Sequence, residues 1–418
     1  MELLLIRRAV VIGGLVYISL GFSFAVKAAD ESMKPLQNWP VSVRDASELR
    51  DALTRARGVG GRIELASGDY GNFAFEDIRG TAWHPVVLAA SDWQKPPRFV
   101  SLHLSRCTYL EVRDIIFAGA PDNGLNIDDG GDFGQPSHHI TLSRLQVRDV
   151  GPQGNHDGIK ISGLEDFRIE ECRVERWGLG GQGIDMVGCH RGLIENNWIS
   201  HREDVGDTDT FGVQPKGGSR DITIRGNRFI NAGTRAINAG GSTGLTFFRP
   251  SLDQWPRNEG FYEAKNIVIE GNTFIGSDAP IAFVGVDGAV VRFNTIYRPR
   301  RWAMRVLQET TAPNFVPCRN VMWSDNIIVF DSKTWLENGV NIGPKTAPET
   351  FQFARNWWFD RENPAQSRPN WWDLPPDTTG RFGENPMLVA PDTGDFRLAP
   401  ASPVKANGRD RAGAYAQG

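Results

Sequence analysis

Two short phrases alternate along this chain in a fixed order. The first is a strand-like run ending at asparagine: "LIENNWIS", "ITIRGNRFI", "IVIEGNTFI", "VVRFNTIY", "MWSDNIIVF" and "FARNWWF". Its asparagines are Asn197, Asn227, Asn272, Asn294, Asn326 and Asn356, separated by 30, 45, 22, 32 and 30 residues. Upstream, "FRIEECRVE", "ITLSRLQVR" and "LEVRDIIF" put Cys172, Leu145 and Ile115 in the same column. The second phrase reads "GLNID", "GIKIS", "GIDMV", "GVQPK", "AINAG", "IAFVG", "AMRVL" and "GVNIG". Both alternate apolar and other residues with a period of two, the mark of strands with one buried face. No long helical period interrupts them. A unit of this length repeated in order marks a solenoid, and short strands make it an all-β parallel one, with roughly eight coils of about 22 to 30 residues. An asparagine repeated at one turn can bond to its copies above and below, as stacked amide ladders do.

A solenoid has open ends that must be covered. "DASELRDALTRARG" carries Leu49, Leu53 and Ala56 at helical spacing, with Asp45 or Ser47 as cap, and predicts an N-terminal helical cap. "GRIELASGDYG" follows as the expected first strand. The solenoid is expected over 40–370. Residues 371–418, rich in proline, glycine and aspartate, are expected as an irregular tail along its side. The stretch Phe247–Tyr262 fills the 45-residue interval as a loop beside the repeat.

Before the repeat, Arg7 and Arg8 precede an apolar run from Ala9 to Val26 and then "VKAAD". That layout predicts a signal peptide over 1–28, hence a secreted or periplasmic protein with no membrane association after cleavage. A retained membrane anchor is the rival reading. Formal net charge is −4 and becomes about −6 without the leader, which leaves no electrostatic footprint for nucleic acid. Cys107, Cys172, Cys189 and Cys318 follow no metal-ligand spacing. Export permits a disulfide, and buried free thiols are the other reading. The chain is expected to be a monomer.

With its two repeated phrases and the "GRIELASGDY" stretch, the chain resembles, over roughly Arg62 to Phe359, the right-handed parallel β-helix proteins of the pectate-lyase-like superfamily. The resemblance implies a single-stranded right-handed helix whose substrate groove follows the second phrase, and an acidic polysaccharide or oligosaccharide as partner. In the chondroitinase-B and alginate-lyase family a lysine on one coil is the base and an arginine on the next is the acid. Lys216 followed by Arg235 is similar, although "NAGG" at Asn238 stands where that family has Arg-His-Gly. "NHDGIKISG" and "VQPKGGSRDITI" look like phrases of polygalacturonase-like hydrolases, whose paired aspartates and Gly-His-Gly are missing from the matching strands.

Alternation sets which side chains face the groove. Asn126, Asp128, Lys160, Ser162, Asp185, Gln214, Lys216, Asn238, Phe283, Arg305 and Asn341 are expected outside, with Arg235 at the edge. The groove could be no more than a solvated face, since outward polar residues are ordinary on a solenoid. Small residues nearby (Gly217, Gly218, Ala239, Gly240, Gly241, Gly244) and long polar flanking loops favour a ligand site. β-Elimination of a uronate needs a base at C5 and charge stabilisation at the carboxylate. Lys216 with Arg235 fits the catalytic roles, and Lys160, Gln214, Asn238, Arg305 and His156 fit substrate binding. Asp185 with Asp207 or Asp209 fits glycoside hydrolysis instead. "GDTDT" around Asp207 and Asp209 also reads as a calcium-ligand loop or an Asx-turn. Trp177, Trp198 and Trp302 are candidates for stacking on sugar rings. The basic run Tyr297–Val306 is either a remote anion subsite or a solvated edge. A C5-epimerase and a non-catalytic glycan binder complete the alternatives.

Overall fold

A computed structural model describes residues 39–336, 339–406 and 413. Their strands stack into three parallel sheets of 12, 11 and 10 strands, called A, B and C below. One central coil runs through Ala264–Glu270 in A, Thr273–Ile275 in B and Ala279–Val284 in C. Coils pair in register, so that Ile159, Ile184, Val213 and Ile237 form one column of sheet C, all fully buried. Period-two alternation thus becomes a core of stacked like residues. The chain is an all-β, right-handed parallel β-helix.

The corner between sheets A and B explains the Gly-Asn phrase. One residue there takes a left-handed backbone in coil after coil, with φ of 55° at Asn196, 64° at Gly226 and Gly271, 57° at Phe293 and 56° at Asp325. Glycine reaches that conformation without steric cost, and other residues pay roughly 1–2 kcal/mol. The next residue is the asparagine. Each Oδ1 accepts from the backbone N–H and the Nδ2 of the asparagine one coil earlier, at 2.9–3.0 Å, from Asn197 through to Asn356. Cys172 N–H donates to Asn197 Oδ1, so Cys172 does share the column. Asp377 takes the place of a seventh asparagine, accepting from Asn356 N and Nδ2.

Helix α1 (Ala46–Ala56) covers one end, capped by the Asp45 side chain, which accepts from Glu48 N–H. Its buried face is Leu49, Ala52, Leu53 and Ala56. The first strand is Val41–Val43, before the helix, and it pairs with Gly61–Leu65; the sequence reading began one strand late because three residues carry no visible period. The tail is less irregular than expected. Arg381–Phe382 adds a strand to sheet B, and Leu388–Ala390 pairs antiparallel with Asp395–Leu398. Phe396 of that pair packs on Tyr297. The four cysteines are free and buried, and burial pushes each thiol up to about 12. The expected signal peptide lies outside the described residues. No helix among the described residues is long and apolar enough to cross a membrane.

Candidate functional site

Sheet C carries a line of polar side chains across successive coils on its outer face. Register places His103 opposite Asn126, Asn126 opposite Lys160, Lys160 opposite Asp185, and Asp185 opposite Gln214. Farther on, Asn238 lies opposite Ala282, and Ala282 opposite Arg305. Phe283, expected outside, is fully buried against Trp323 and Phe351. "APIAFV" is apolar throughout, so alternation there has no phase to read.

The centre of the line is Asp185. It is fully buried, and two ammonium groups converge on it: Lys160 Nζ at 2.6 Å from Oδ2 and Lys216 Nζ at 3.1 Å from Oδ1. Burial alone would raise the Asp185 pKa, but Lys216 and Lys160 outweigh it and hold the carboxyl below its ordinary value. Lys160 also donates to Asp157 Oδ2 at 3.0 Å. Burial opposes the Lys160 charge, but Asp185 and Asp157 overcome it and raise its pKa. Asp157 is itself buried and beside Asp185, and both effects push it up. Asp157 Oδ1 accepts from Gln182 N–H, fixing the carboxylate at the start of its strand. The sequence reading passed over Asp157 because it sits one residue before alternation begins.

From Lys216 the network continues into the next coil. Lys216 Nζ lies 3.3 Å from Gln214 Oε1, and Gln214 Nε2 donates to Gly240 O. Asn238 Nδ2 donates to the same carbonyl, and Asn238 Oδ1 accepts from Arg235 Nη1 at 2.8 Å. Arg235 Nη1 also meets Glu309 at 3.2 Å, and its guanidinium lies 4.9 Å from the Phe211 ring centre. Arg235 is not beside Lys216 in register. It opens its strand opposite Phe211, while Lys216 closes the neighbouring strand, roughly 16 Å of backbone away. Lys216 ends on Gln214 and Arg235 on Asn238, and these two amides share the Gly240 carbonyl.

Other expected residues fall elsewhere. His156 lies in the turn before sheet C, 3.5 Å from Asp122, and is packed by Gly151 and Gly181. Asp207 faces Arg301 at 3.4 Å, and Asp207 and Asp209 are exposed. Lys160 and Lys216 make their ion pairs with Asp157 and Asp185 rather than with Asp207 or Asp209. Among the described residues no group of three or more His, Cys, Asp and Glu could hold a metal ion. Trp177 is buried against His201. Trp198 belongs to sheet B, between Arg173 and Arg228. Trp302 is buried between Arg301 and Arg305. Arg305 donates to Asn341 Oδ1 at 2.9 Å, and Arg298, Arg300 and Arg301 pair with Asp331 and Asp278.

Some of the small residues beside the groove, Gly217, Gly218 and Gly244, lie against the chain's own loop. The Phe247–Tyr262 stretch has a small core of Phe248, Trp255 and Tyr262. Arg249 runs back to Asp129, 120 residues earlier, in a buried two-point ion pair at 2.6 and 3.1 Å. A Cβ on Gly188 would strike Arg249, and one on Gly218 would strike the Arg249 carbonyl and Trp255. Glu263, fully buried, accepts from Gly217 N, Thr243 N, Thr243 Oγ1 and Thr310 Oγ1 and anchors the loop's return.

The family model described as right handed beta helix region matches residues 101–259. Alpha-1,3-galactosidase B of Phocaeicola vulgatus is 31% identical over 138 residues, 29% of this chain and 23% of that protein. The Bacteroides fragilis protein of the same name is 31% identical over 121 residues, 26% of this chain and 20% of its own length. The chain therefore spans about a quarter or less of the curated relatives it matches. Similar solved structures include an alginate lyase from Paenibacillus sp. str. FPU-7, 16% identical with a TM-score of 0.48, covering 75% of this chain and 97% of that one. A GH87 alpha-1,3-glucanase from Streptomyces thermodiastaticus is 13% identical with a TM-score of 0.46, covering 82% and 68%.

Proposed function

We propose that this right-handed parallel β-helix protein is an exported carbohydrate-active enzyme that cleaves a uronate-containing glycan by β-elimination on the outer face of sheet C. The observation that carries the reading is the hydrogen-bonded chain that joins Lys216 to Arg235 on the next coil, through Gln214, the Gly240 carbonyl and Asn238. Lys216 takes the C5 proton of a bound uronate after its own ammonium has given up a proton to water. The electron pair released forms the C4–C5 double bond, and the C4–O bond breaks. The departing oxygen takes a proton from water beside the Arg235 guanidinium. Lys160, held on Asp185 beside Lys216, supplies positive charge to the carboxylate as it gains enolate character. Asp185 is a positioning residue: fully buried, it touches no substrate and fixes both amines.

The test is ultraviolet absorbance of the unsaturated uronate during incubation with a panel of uronate polymers. Lys216→Ala is expected to abolish that signal while circular dichroism stays unchanged. Full activity in Lys216→Ala would remove it from the mechanism.

Glycoside hydrolysis is the second reading, and one feature favours it. Asp157 and Asp185 both bind the Lys160 ammonium, and their environments push the two carboxyl groups in opposite directions, which is how an acid and a base are told apart in such pairs. The local similarity to proteins named alpha-1,3-galactosidase B agrees with it. Both carboxylates are buried beneath Lys160, which is why it stands second. New reducing ends without ultraviolet absorbance would establish it. A changed sugar ratio at constant chain length would mean epimerisation, and binding alone would mean a glycan-binding protein.

A further inference from the structure

The outer face of sheet C changes chemical character along the helix. From Ile159–Ser162 onward it carries Lys160, Lys216, Arg235 and Arg305. Before that, the strands Asn72–Glu76, Ser101–Ser105 and Leu125–Asp128 carry no lysine or arginine. Their alternating outer positions hold Asn72, Glu76, Ser101, His103, Ser105, Asn126 and Asp128, and Glu76 turns to Arg106 in the following turn.

Four of these side chains form one cluster. His103 Nε2 lies 2.7 Å from Asp128 Oδ2 and 3.3 Å from Ser105 Oγ. Asn126 Nδ2 donates to Asp128 Oδ2 at 3.2 Å, and Gly130 N–H donates to Oδ1 at 2.9 Å. Asn126 Oδ1 has no hydrogen-bond partner. The protein contacts of the imidazole all run through Nε2, and half of the side chain is exposed. The cluster occupies the groove column itself: Asn126 and Asp128 are one coil, roughly 5 Å, from the strand of Lys160, and His103 is two.

We propose that His103, Asn126 and Asp128 form a hydroxyl-recognising subsite for an uncharged sugar residue, on the two coils that precede the lysine cluster in the same groove. A carboxylate, an amide and an imidazole together offer the acceptors and donors that adjacent sugar hydroxyls need. A uronate placed there would set its carboxylate against Asp128, and the nearest cations, Lys160 one coil on and Arg106 in the turn, are already held by Asp157 with Asp185 and by Glu76 with Asp77. Combined with the β-elimination reading, on which this substrate class rests, the groove selects a copolymer in which uronate alternates with a neutral sugar over a homopolymer of uronate.

Affinity electrophoresis of the full-length protein tests the subsite without requiring turnover. The probes are hyaluronate, an alternating copolymer of uronate and a neutral amino sugar, and polygalacturonate, a homopolymer. Hyaluronate is expected to bind at least about tenfold more tightly, and His103→Ala to weaken hyaluronate by about tenfold while leaving polygalacturonate unchanged. His103→Gln, which keeps a donor and an acceptor, should restore part of that loss. Equal retardation by both polymers, or a His103→Ala variant that binds hyaluronate like the parent, overturns the subsite even if an unsaturated product is found. Loss confined to hyaluronate in His103→Ala, with no unsaturated product from any polymer, keeps the subsite and overturns only the elimination chemistry.

Discussion

Asp185 shows how much a single residue sets here. Two ammonium groups are held by one carboxylate with no solvent contact. Removing one partner of a buried pair leaves the others uncompensated, typically at about 3–5 kcal/mol. Asp185→Asn should therefore lower the urea midpoint by that equivalent at neutral pH. The pH dependence has a definite sign. The folded-state pKa of Asp185 is depressed, so its contribution is present above the unfolded carboxyl value near 4 and is lost as pH falls through the folded one. Asp157 has the reverse sign, its folded pKa being raised. In Asp185→Asn the acid-side loss attributable to Asp185 should vanish. An unchanged acid limb would show that the two lysines do not depend on it. Lys160, Asp185, Gln214, Lys216 and Asn238 were legible in the sequence because alternation puts them outside. Asp157 and Glu309 were not, since both reach the network from outside the alternating stretch. Nor does alternation say that Arg235 roots at the far end of its strand.

At the scale of the element, the asparagine column and the Phe247–Tyr262 loop show what a repeat reveals and what it hides. The ladder was visible because each rung repeats the same residue at the same corner. Asn272 sits in its middle. Its Oδ1 accepts from Asn227 N and Nδ2, and its Nδ2 donates to Ile224 O and Asn294 Oδ1. Asn272→Ala strands several buried polar groups at about 1–3 kcal/mol each, so a loss of at least about 3 kcal/mol is expected in chemical denaturation. A loss below about 1 kcal/mol would mean that water replaces the rung at little cost. The loop was legible only as an insertion. Its latch, Arg249 on Asp129, joins residues far apart in sequence, and no local pattern encodes it. Of the glycines that suggested space for a ligand, Gly217, Gly218 and Gly244 lie against this loop, while Gly240 and Gly241 face Val284 and Gln214, so smallness alone did not say what would fill the space.

For the whole molecule, stability is close to a sum over coils and their interfaces, and the ends decide whether the stack stays closed. The beginning is covered by α1, whose Leu49, Ala52, Leu53 and Ala56 belong to the continuous core that runs up the helix. The other end of sheet B receives Arg381–Phe382. An open parallel end presents unpaired N–H and C=O groups that can template another copy. Leu53 therefore separates two effects. Leu53→Ala deletes buried volume and is expected to cost about 2–5 kcal/mol without changing association state. Leu53→Asp places an unpaired charge beneath the helix and should lift α1 off the first coil. Size-exclusion chromatography should then show higher oligomers for Leu53→Asp but not for Leu53→Ala at matched temperature and concentration. If both variants elute like the parent, the helix contributes packing alone, and protection of that end must come from the short Val41–Val43 strand beside it.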